Sequence, residues 1–251
     1  MGYRFKERRD PLIIAVFQAD GLTIRGEIRG EEVLGLGRRW PLEEVHLLPP
    51  IRPSKIVCLG RNYRAHAEEL GNEVPERPLL FFKPPSAVIG PGEPIVLPPS
   101  PRVDYEGELA VVIGRRCRNV KAKDAYEVIL GYTCLNDVTD RDAQGWERNW
   151  VRAKGFDTSC PLGPWIVTQD ELSFPLTIET YVNGKLRQRG TTDELIFSIP
   201  EILEEVSSFM TLEEGDVIAT GTPAGVGPLS PGDQVEVRIS GIGSLVNPVE
   251  K

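Results

Sequence analysis

The densest chemistry in this 251-residue chain lies in Val103-Asp104-Tyr105-Glu106-Gly107-Glu108-Leu109-Ala110-Val111-Val112-Ile113-Gly114. From Leu109 onward the residues are apolar, branched or small, and the run stops at a glycine, which predicts a buried strand. Glu106 and Glu108 sit two apart just upstream, so on one strand both carboxylates leave the same face. Two carboxylates about 5.5 Å apart repel by roughly 3 kcal/mol at an effective dielectric near 20, so a strand leading into a core needs a counter-charge there. A divalent cation is the simplest one. A solvated strand end with two exposed acids is the plain alternative.

A third oxygen donor is available at Asp137, where the apolar run Ile129 to Leu135 ends in Asn136-Asp137. A turn opening at the end of a buried strand is where binding residues tend to sit. Three carboxylates without histidine or cysteine make a hard, all-oxygen donor set. It suits Mg²⁺ or Mn²⁺, with Ca²⁺ less specifically matched. His66 and Glu69 lie three apart in Arg64-Ala65-His66-Ala67-Glu68-Glu69-Leu70, which reads as a short helix closed by Gly71. A carboxylate beside an imidazole can fix its tautomer and raise its basicity, although an exposed His–Glu pair of no consequence has the same spacing. Lys83, at the end of Leu79-Leu80-Phe81-Phe82, faces either an anionic ligand or solvent. Lys154 opens the stretch to Pro164, read as a loop, and can neutralise an oxyanion or simply be a surface residue. His46 has no companion ligands and reads as structural or as a surface residue rather than a functional one. Gly221-Thr222-Pro223-Ala224-Gly225-Val226-Gly227 lacks the Gly-Lys-Ser/Thr of a nucleotide-binding loop, but its backbone and the Thr222 hydroxyl can line a carboxylate pocket.

The elements that must position these groups are short. With 25 Gly and 22 Pro, the chain is punctuated as many short strands and turns rather than as a helical bundle. Residues 1–52 read as a small β module, with strands at Pro11 to Phe17 and Leu22 to Ile28 and a proline-rich linker at Leu47 to Pro53. Residues 53–251 form the second unit. Asn183-Gly184 is the strongest hairpin turn, and Val138 to Gln144 looks helical with Arg141 and Gln144 on adjacent turns. Ser198 to Met210 is an amphipathic helix with Ser198 as its cap. Its apolar stripe of Ile199, Ile202, Leu203, Val206, Phe209 and Met210 is predicted to pack into the core.

Composition narrows the function. Hydrophobic residues make up 40% and charged residues 26%, enough for a soluble domain with a proper core. The net charge of −8 argues against nucleic acid as a partner. No apolar run nears the roughly 20 residues of a membrane span, and the charged start Met1 to Arg9 is no signal peptide, so a cytoplasmic protein is expected. Cys58, Cys117, Cys134 and Cys160 show no Cys-x-x-Cys pair and read as reduced thiols, mostly buried.

Taken together, Gly60-Arg61-Asn62-Tyr63 with His66 and Glu69, Phe82-Lys83-Pro84, Asp104 to Leu109, Asn136-Asp137-Val138-Thr139, Lys154 through Pro164, and Gly221-Thr222-Pro223 resemble the fumarylacetoacetate hydrolase family. The likeness runs in order from about residue 53 to the end. It implies an α+β, predominantly β fold, a mixed β-sandwich roll with a few short helices, often assembled as a homodimer. It implies Glu106, Glu108 and Asp137 as ligands of Mg²⁺ or Mn²⁺, His66 with Glu69 as the acid/base pair, and Lys154 as the stabiliser of enolate or oxyanion charge. Arg61, Gln144 and Thr222 become substrate contacts. Asp140 stands where relatives often carry a small residue, which puts extra charge next to the metal. The implied reaction acts on a small anionic 2-oxo or enol acid through a stabilised enolate. Isomerisation or decarboxylation of hydroxy-dienedioates such as 2-hydroxyhepta-2,4-diene-1,7-dioate leads, with acylpyruvate hydrolysis and oxaloacetate decarboxylation as alternatives. A non-catalytic metal-binding descendant is the alternative of another class.

Overall fold

The computed structural model describes residues 12–251; the charged stretch Met1 to Arg9 and the predicted strand start at Pro11 lie outside it. The chain forms a large mixed sheet, a five-stranded sheet and a small three-stranded one, with few helices. Along the large sheet the order is Arg38–Pro41, Glu32–Gly35, Leu22–Arg29, Ile13–Ala19, Cys160–Val167, Ile129–Asn136, Gly107–Ile113, Val217–Ala219, Ile56–Gly60 and Leu79–Lys83. Most neighbours are antiparallel, but Val217–Ala219 pairs in parallel with Ile56–Gly60, Ile218 opposite Val57. A parallel pair needs a long crossover, and here more than half of the chain lies between the two strands.

The Gly107–Ile113 strand shows why the sheet is buried on both faces. Leu109, Val111 and Ile113 join one apolar cluster with Ile178, Val237 and Leu245 of the five-stranded sheet. Ala110 and Val112 point the other way, into a second cluster with Leu135, Leu162 and Ile166. Apolar residues on successive positions, rather than alternating ones, are what a strand covered on both faces requires. The helix Ile199–Phe209 covers the first cluster through Ile202, Leu203 and Val206. Ser198 starts it as expected, with Glu201 accepting from the Ser198 N–H at 2.8 Å.

Several expectations are corrected. Phe209 is 51% exposed and falls outside the apolar stripe of that helix, whereas Met210 packs against the first cluster as expected. Two strands, Glu32–Gly35 and Arg38–Pro41, extend the N-terminal module where no strand is legible, because charged residues and glycines interrupt their alternation. The segment after Asp137 starts as a short strand, Thr139–Asp140, and turns helical only at Arg141. Cys160 to Pro164, expected in a loop, belongs to the strand Cys160–Val167. The hairpin at Asn183-Gly184 joins Thr177–Val182 to Lys185–Thr191. The N-terminal strands carry a cluster of their own, including Phe17, Ile24 and Val33. They also continue the large sheet through the pairing of Ile13 with Val167. Cys58, Cys117, Cys134 and Cys160 are all free thiols. No helix among the described residues is long and apolar enough to cross a membrane.

Candidate metal centre

Glu106, Glu108 and Asp137 converge, with one carboxylate oxygen from each lying within 4.8 Å of the others. All three are buried, at most 4% exposed. Three local features bring them together. Gly107, between the two glutamates, leaves no room for a side chain: a Cβ there would stand 2.1 Å from Thr180 Oγ1. The strand breaks at Glu106, whose N–H is held by Asn136 Oδ1 at 2.9 Å, and Asp137 N donates to Glu106 O at 2.8 Å. Gly221, at φ +99, turns its N–H onto Glu108 Oε2 at 2.7 Å, and a Cβ there would press on Asn62.

Cations answer the buried charge unevenly. Lys154 Nζ lies 2.8 Å from Glu106 Oε2 and 2.7 Å from Asp137 Oδ2. Lys83, expected to face a ligand or solvent, does neither. It is 1% exposed, and its ammonium bonds the carbonyls of Val138, Lys154 and Ser159. Its contact with Asp137 Oδ1 at 2.8 Å is an ion pair without hydrogen-bond alignment. Arg141 Nη2 likewise stands 2.6 Å from Glu106 Oε1 as an ion pair rather than an aligned hydrogen bond, while its Nε donates to buried Asp104 at 2.8 Å. Glu108 forms no ion pair among the described residues.

Charge sets the ionisation of the two glutamates apart. Burial opposes ionisation of Glu106, yet Lys154 and Arg141 overcome it and hold that carboxyl well below the ordinary range. Burial, followed by the charges of Asp137 and Glu106, pushes Glu108 well up. A carboxylate in this position lacks a positive partner, and the donor set around it is all oxygen. That combination fits a hard divalent cation, which would restore the balance.

The triad opens onto a cavity of about 330 Å³ also lined by Arg61, His66, Gln144, Lys154 and Thr222, so every predicted site residue except Glu69 and Asp137 lines it. Phe81 and Trp150, edge to face at 5.5 Å, give it an apolar wall. Arg61 holds a left-handed backbone at φ 59 and forms no ion pair among the described residues. Gln144 takes a hydrogen bond from Arg141 at 2.9 Å. The Thr222 hydroxyl is engaged inside the protein, donating to Gly107 O at 2.8 Å and accepting from Gln188 at 2.8 Å.

His66 is 5% exposed on the helix Arg64–Glu69. Its Nδ1 is 3.7 Å from Glu69 Oε2, too far for a hydrogen bond, and has no other partner. Glu69 instead accepts from Gly225 N at 3.0 Å, so the expected fixing of the tautomer by Glu69 is absent from this arrangement. Burial lowers the His66 pKa from its ordinary 6.5, which keeps the ring neutral near pH 7. Asp140 directs its carboxylate to the start of the next helix. It caps the helix Arg141–Trp146, accepting from Asp142 N and Ala143 N at 3.0 and 3.1 Å. His46 is exposed and away from the cavity residues. The residues to which sequence reasoning gave no role of their own are Asp104 and Asn136, and the buried pairing of Lys83 with Asp137 was not foreseen. Asp104 was legible in principle, as a third acid in register with Glu106 and Glu108.

Residues 55–250 match the family described as fumarylacetoacetate (FAA) hydrolase C-terminal. The 5-carboxymethyl-2-hydroxymuconate delta-isomerase of Mycobacterium smegmatis superposes with a TM-score of 0.89 at 47% identity, over 95% of this chain and 98% of that one. The oxaloacetate tautomerase YisK of Bacillus subtilis is 45% identical over 84% of this chain and 75% of its own. The maleylpyruvate hydrolase of Sphingobium sp. SYK-6, solved with manganese(II) and pyruvate, gives a TM-score of 0.82 at 34% identity, covering 95% and 98%.

Proposed function

The chain belongs to the fumarylacetoacetate hydrolase family of enzymes, and from that premise we propose that it moves a proton on a small anionic 2-oxo or enol acid in a divalent-metal-dependent isomerisation. The carrying observation is one cavity lined by two members of the all-oxygen acidic triad, Glu106 and Glu108, and by a buried, neutral His66 whose Nδ1 has no hydrogen-bond partner among the described residues. Glu106, Glu108 and Asp137 would hold Mg²⁺ or Mn²⁺, with Ca²⁺ also matching the donors, and such an ion supplies Lewis-acid polarisation of a keto oxygen and steadies enolate charge.

The chain's own groups do the rest. His66, neutral near pH 7, takes a proton from the carbon next to the keto group and returns it elsewhere on the enol. Glu69, one helical turn away, supports the imidazolium that forms meanwhile. Lys154 offsets negative charge as it grows on oxygen. Arg61, Gln144 and Thr222 contact and orient the acid, and the Phe81–Trp150 wall excludes water from one side. Covalent catalysis is the poorer reading, since no serine or cysteine lines the cavity among the described residues. Burial also keeps the nearby Cys160 thiol protonated, its pKa pushed up to about 12.

Relatives named for isomerase, tautomerase and hydrolase reactions all support enolate chemistry and divide on the fate of the enolate. Isomerisation of a 2-hydroxyhepta-2,4-diene-1,7-dioate-type acid leads. Hydrolysis of an acylpyruvate is the second reading, favoured by the hydrolase solved with manganese(II) and pyruvate; decarboxylation of oxaloacetate is the third. The reading includes a cytoplasmic homodimer with no nucleic-acid or membrane partner.

The test uses metal-stripped protein with and without Mn²⁺. The ultraviolet absorbance of enol-oxaloacetate and of a hydroxy-dienedioate is followed, with pyruvate measured in parallel from oxaloacetate and acetylpyruvate. Metal-dependent loss of enol or diene absorbance without pyruvate supports the isomerase. Pyruvate from acetylpyruvate replaces it with a hydrolase, and pyruvate from oxaloacetate with a decarboxylase. No turnover of any of them leaves the non-catalytic alternative standing.

A further inference from the structure

Lys154 occupies an unusual place for a group that is to meet substrate. Its ammonium stands 2.8 Å from Glu106 Oε2 and 2.7 Å from Asp137 Oδ2, oxygens of two of the three residues whose donors cluster within 4.8 Å. A divalent ion such as Mg²⁺ binds carboxylate oxygens at about 2.0–2.1 Å and draws on the same electron density. The ammonium and the dication therefore compete for two carboxylates inside a buried, low-dielectric site, where like charges repel strongly.

The two lysines of the centre differ in their freedom to yield. Lys83 is bonded to three main-chain carbonyls and to Ser159 Oγ, besides its ion pair with Asp137, so its ammonium is fixed from several sides. The Lys154 ammonium has only its two carboxylate hydrogen bonds among the described residues. It also lies 4.8 Å above the Phe81 ring, and both residues line the cavity. An aromatic face is a place where a displaced ammonium can rest.

We propose that Lys154, one of three cations paired with the acidic triad alongside Lys83 and Arg141, is the one that the metal displaces and thereby delivers into the cavity, where an anionic oxygen of the substrate meets it. The proposal rests on the reading that the triad holds a divalent cation. It assigns to Lys154 a second task, that of holding the triad together before the metal arrives. Metal and substrate anion then reinforce one another, because the ammonium that one displaces is the one the other uses.

Unbound Mn²⁺ measured by electron paramagnetic resonance gives the affinity of wild type, Lys154→Met and Lys154→Arg without substrate. We expect Lys154→Met to bind Mn²⁺ at least tenfold tighter than wild type and Lys154→Arg to bind no tighter than wild type. Equal or weaker binding by a folded Lys154→Met overturns the proposal while leaving the triad as a metal site. Failure of both wild type and variant to take up Mn²⁺ overturns the metal reading and the proposal with it. A measurement on wild type guards against a variant that does not fold. With ¹⁵N-labelled lysine, the protected ammonium signal of Lys154 is expected to shift and lose its protection on saturation with Mg²⁺, while that of Lys83 keeps its protection. A Lys154 signal that stays protected overturns the proposal.

Discussion

A buried carboxylate stands at each end of the parallel strands Ile56–Gly60 and Val217–Ala219, Asp216 at one and Glu108 of the strand Gly107–Ile113 at the other, and the two ends are treated in opposite ways. At the amino ends, Asp216 is 0% exposed and fully answered. It accepts from Ser54 Oγ at 2.6 Å, Lys55 N at 3.2 Å and Glu213 N at 2.7 Å, and pairs with the Lys55 ammonium. At the carboxyl ends, beyond Thr220, Glu108 is 1% exposed and has one hydrogen bond among the described residues, from Gly221 N. His66, lining the same cavity, has an imidazole nitrogen with no hydrogen-bond partner among the described residues. Buried polar groups are normally satisfied, so the first end reads as part of the scaffold and the second as a place prepared for something else. Ligands of sheets with parallel strands also tend to gather beyond the carboxyl ends.

The comparison breaks most sharply with Glu108→Gln. Mn²⁺ uptake and turnover should disappear, yet the metal-free variant should melt above metal-free wild type. The Glu108 carboxyl lies well above its ordinary 4.5, so the folded chain keeps a proton that the unfolded chain releases. Its penalty on wild type is absent at acid pH and grows as pH rises past 4.5, so the gain in melting temperature should grow with it. A lower melting temperature would place Glu108 among the scaffold groups. His66→Asn should lower kcat by roughly 10²–10⁴ while leaving Mn²⁺ affinity within about twofold. A large loss of affinity would make His66 a ligand instead. The opposite signature belongs to the scaffold end. Asp216→Ala should cost about 3 kcal/mol in a denaturant titration, because the Ser54 hydroxyl and the Lys55 and Glu213 N–H groups lose their charged acceptor, while turnover per folded molecule is kept. The smallest effect is expected from Asp140→Ala. Losing that helix cap should cost about 1 kcal/mol and raise KM modestly, since Arg141 and Gln144 ride on the helix it starts.

Sequence reasoning reached the parts of this molecule that are local. The Glu106-Gly107-Glu108 spacing, the apolar run to Ile113 and the end of a strand at Asn136-Asp137 depend on period and composition, and all three appear in the fold. The predominantly β architecture followed from dense Gly and Pro punctuation. Lys83 was not legible. An ammonium bonded to the carbonyls of residues 138, 154 and 159 is defined by tertiary contact alone, and on the sequence it looks like the polar end of an edge strand. The cap at Asp140 was not legible for a related reason. Its neighbourhood in the chain suggested the metal, but its side chain turns to two backbone N–H groups of the next helix. The His66–Glu69 spacing placed both residues one turn apart, and only the coordinates show Glu69 turned away to Gly225.

Asn62 gives the arrangement a history as well as a shape. Its amide bonds the carbonyls of Phe197 and Thr220, and its oxygen accepts from Phe197 N. The turn that leads to His66 is thereby set by residues about 135 to 158 positions further along. A chain leaving the ribosome presents Glu106, Glu108 and Asp137 long before the groups that steady His66 and bond Glu108 have been made. Contacts of such long range form late, so the centre is completed only when nearly the whole chain is available. A chain cut short before Gly221 keeps the three donors without the backbone N–H that anchors Glu108.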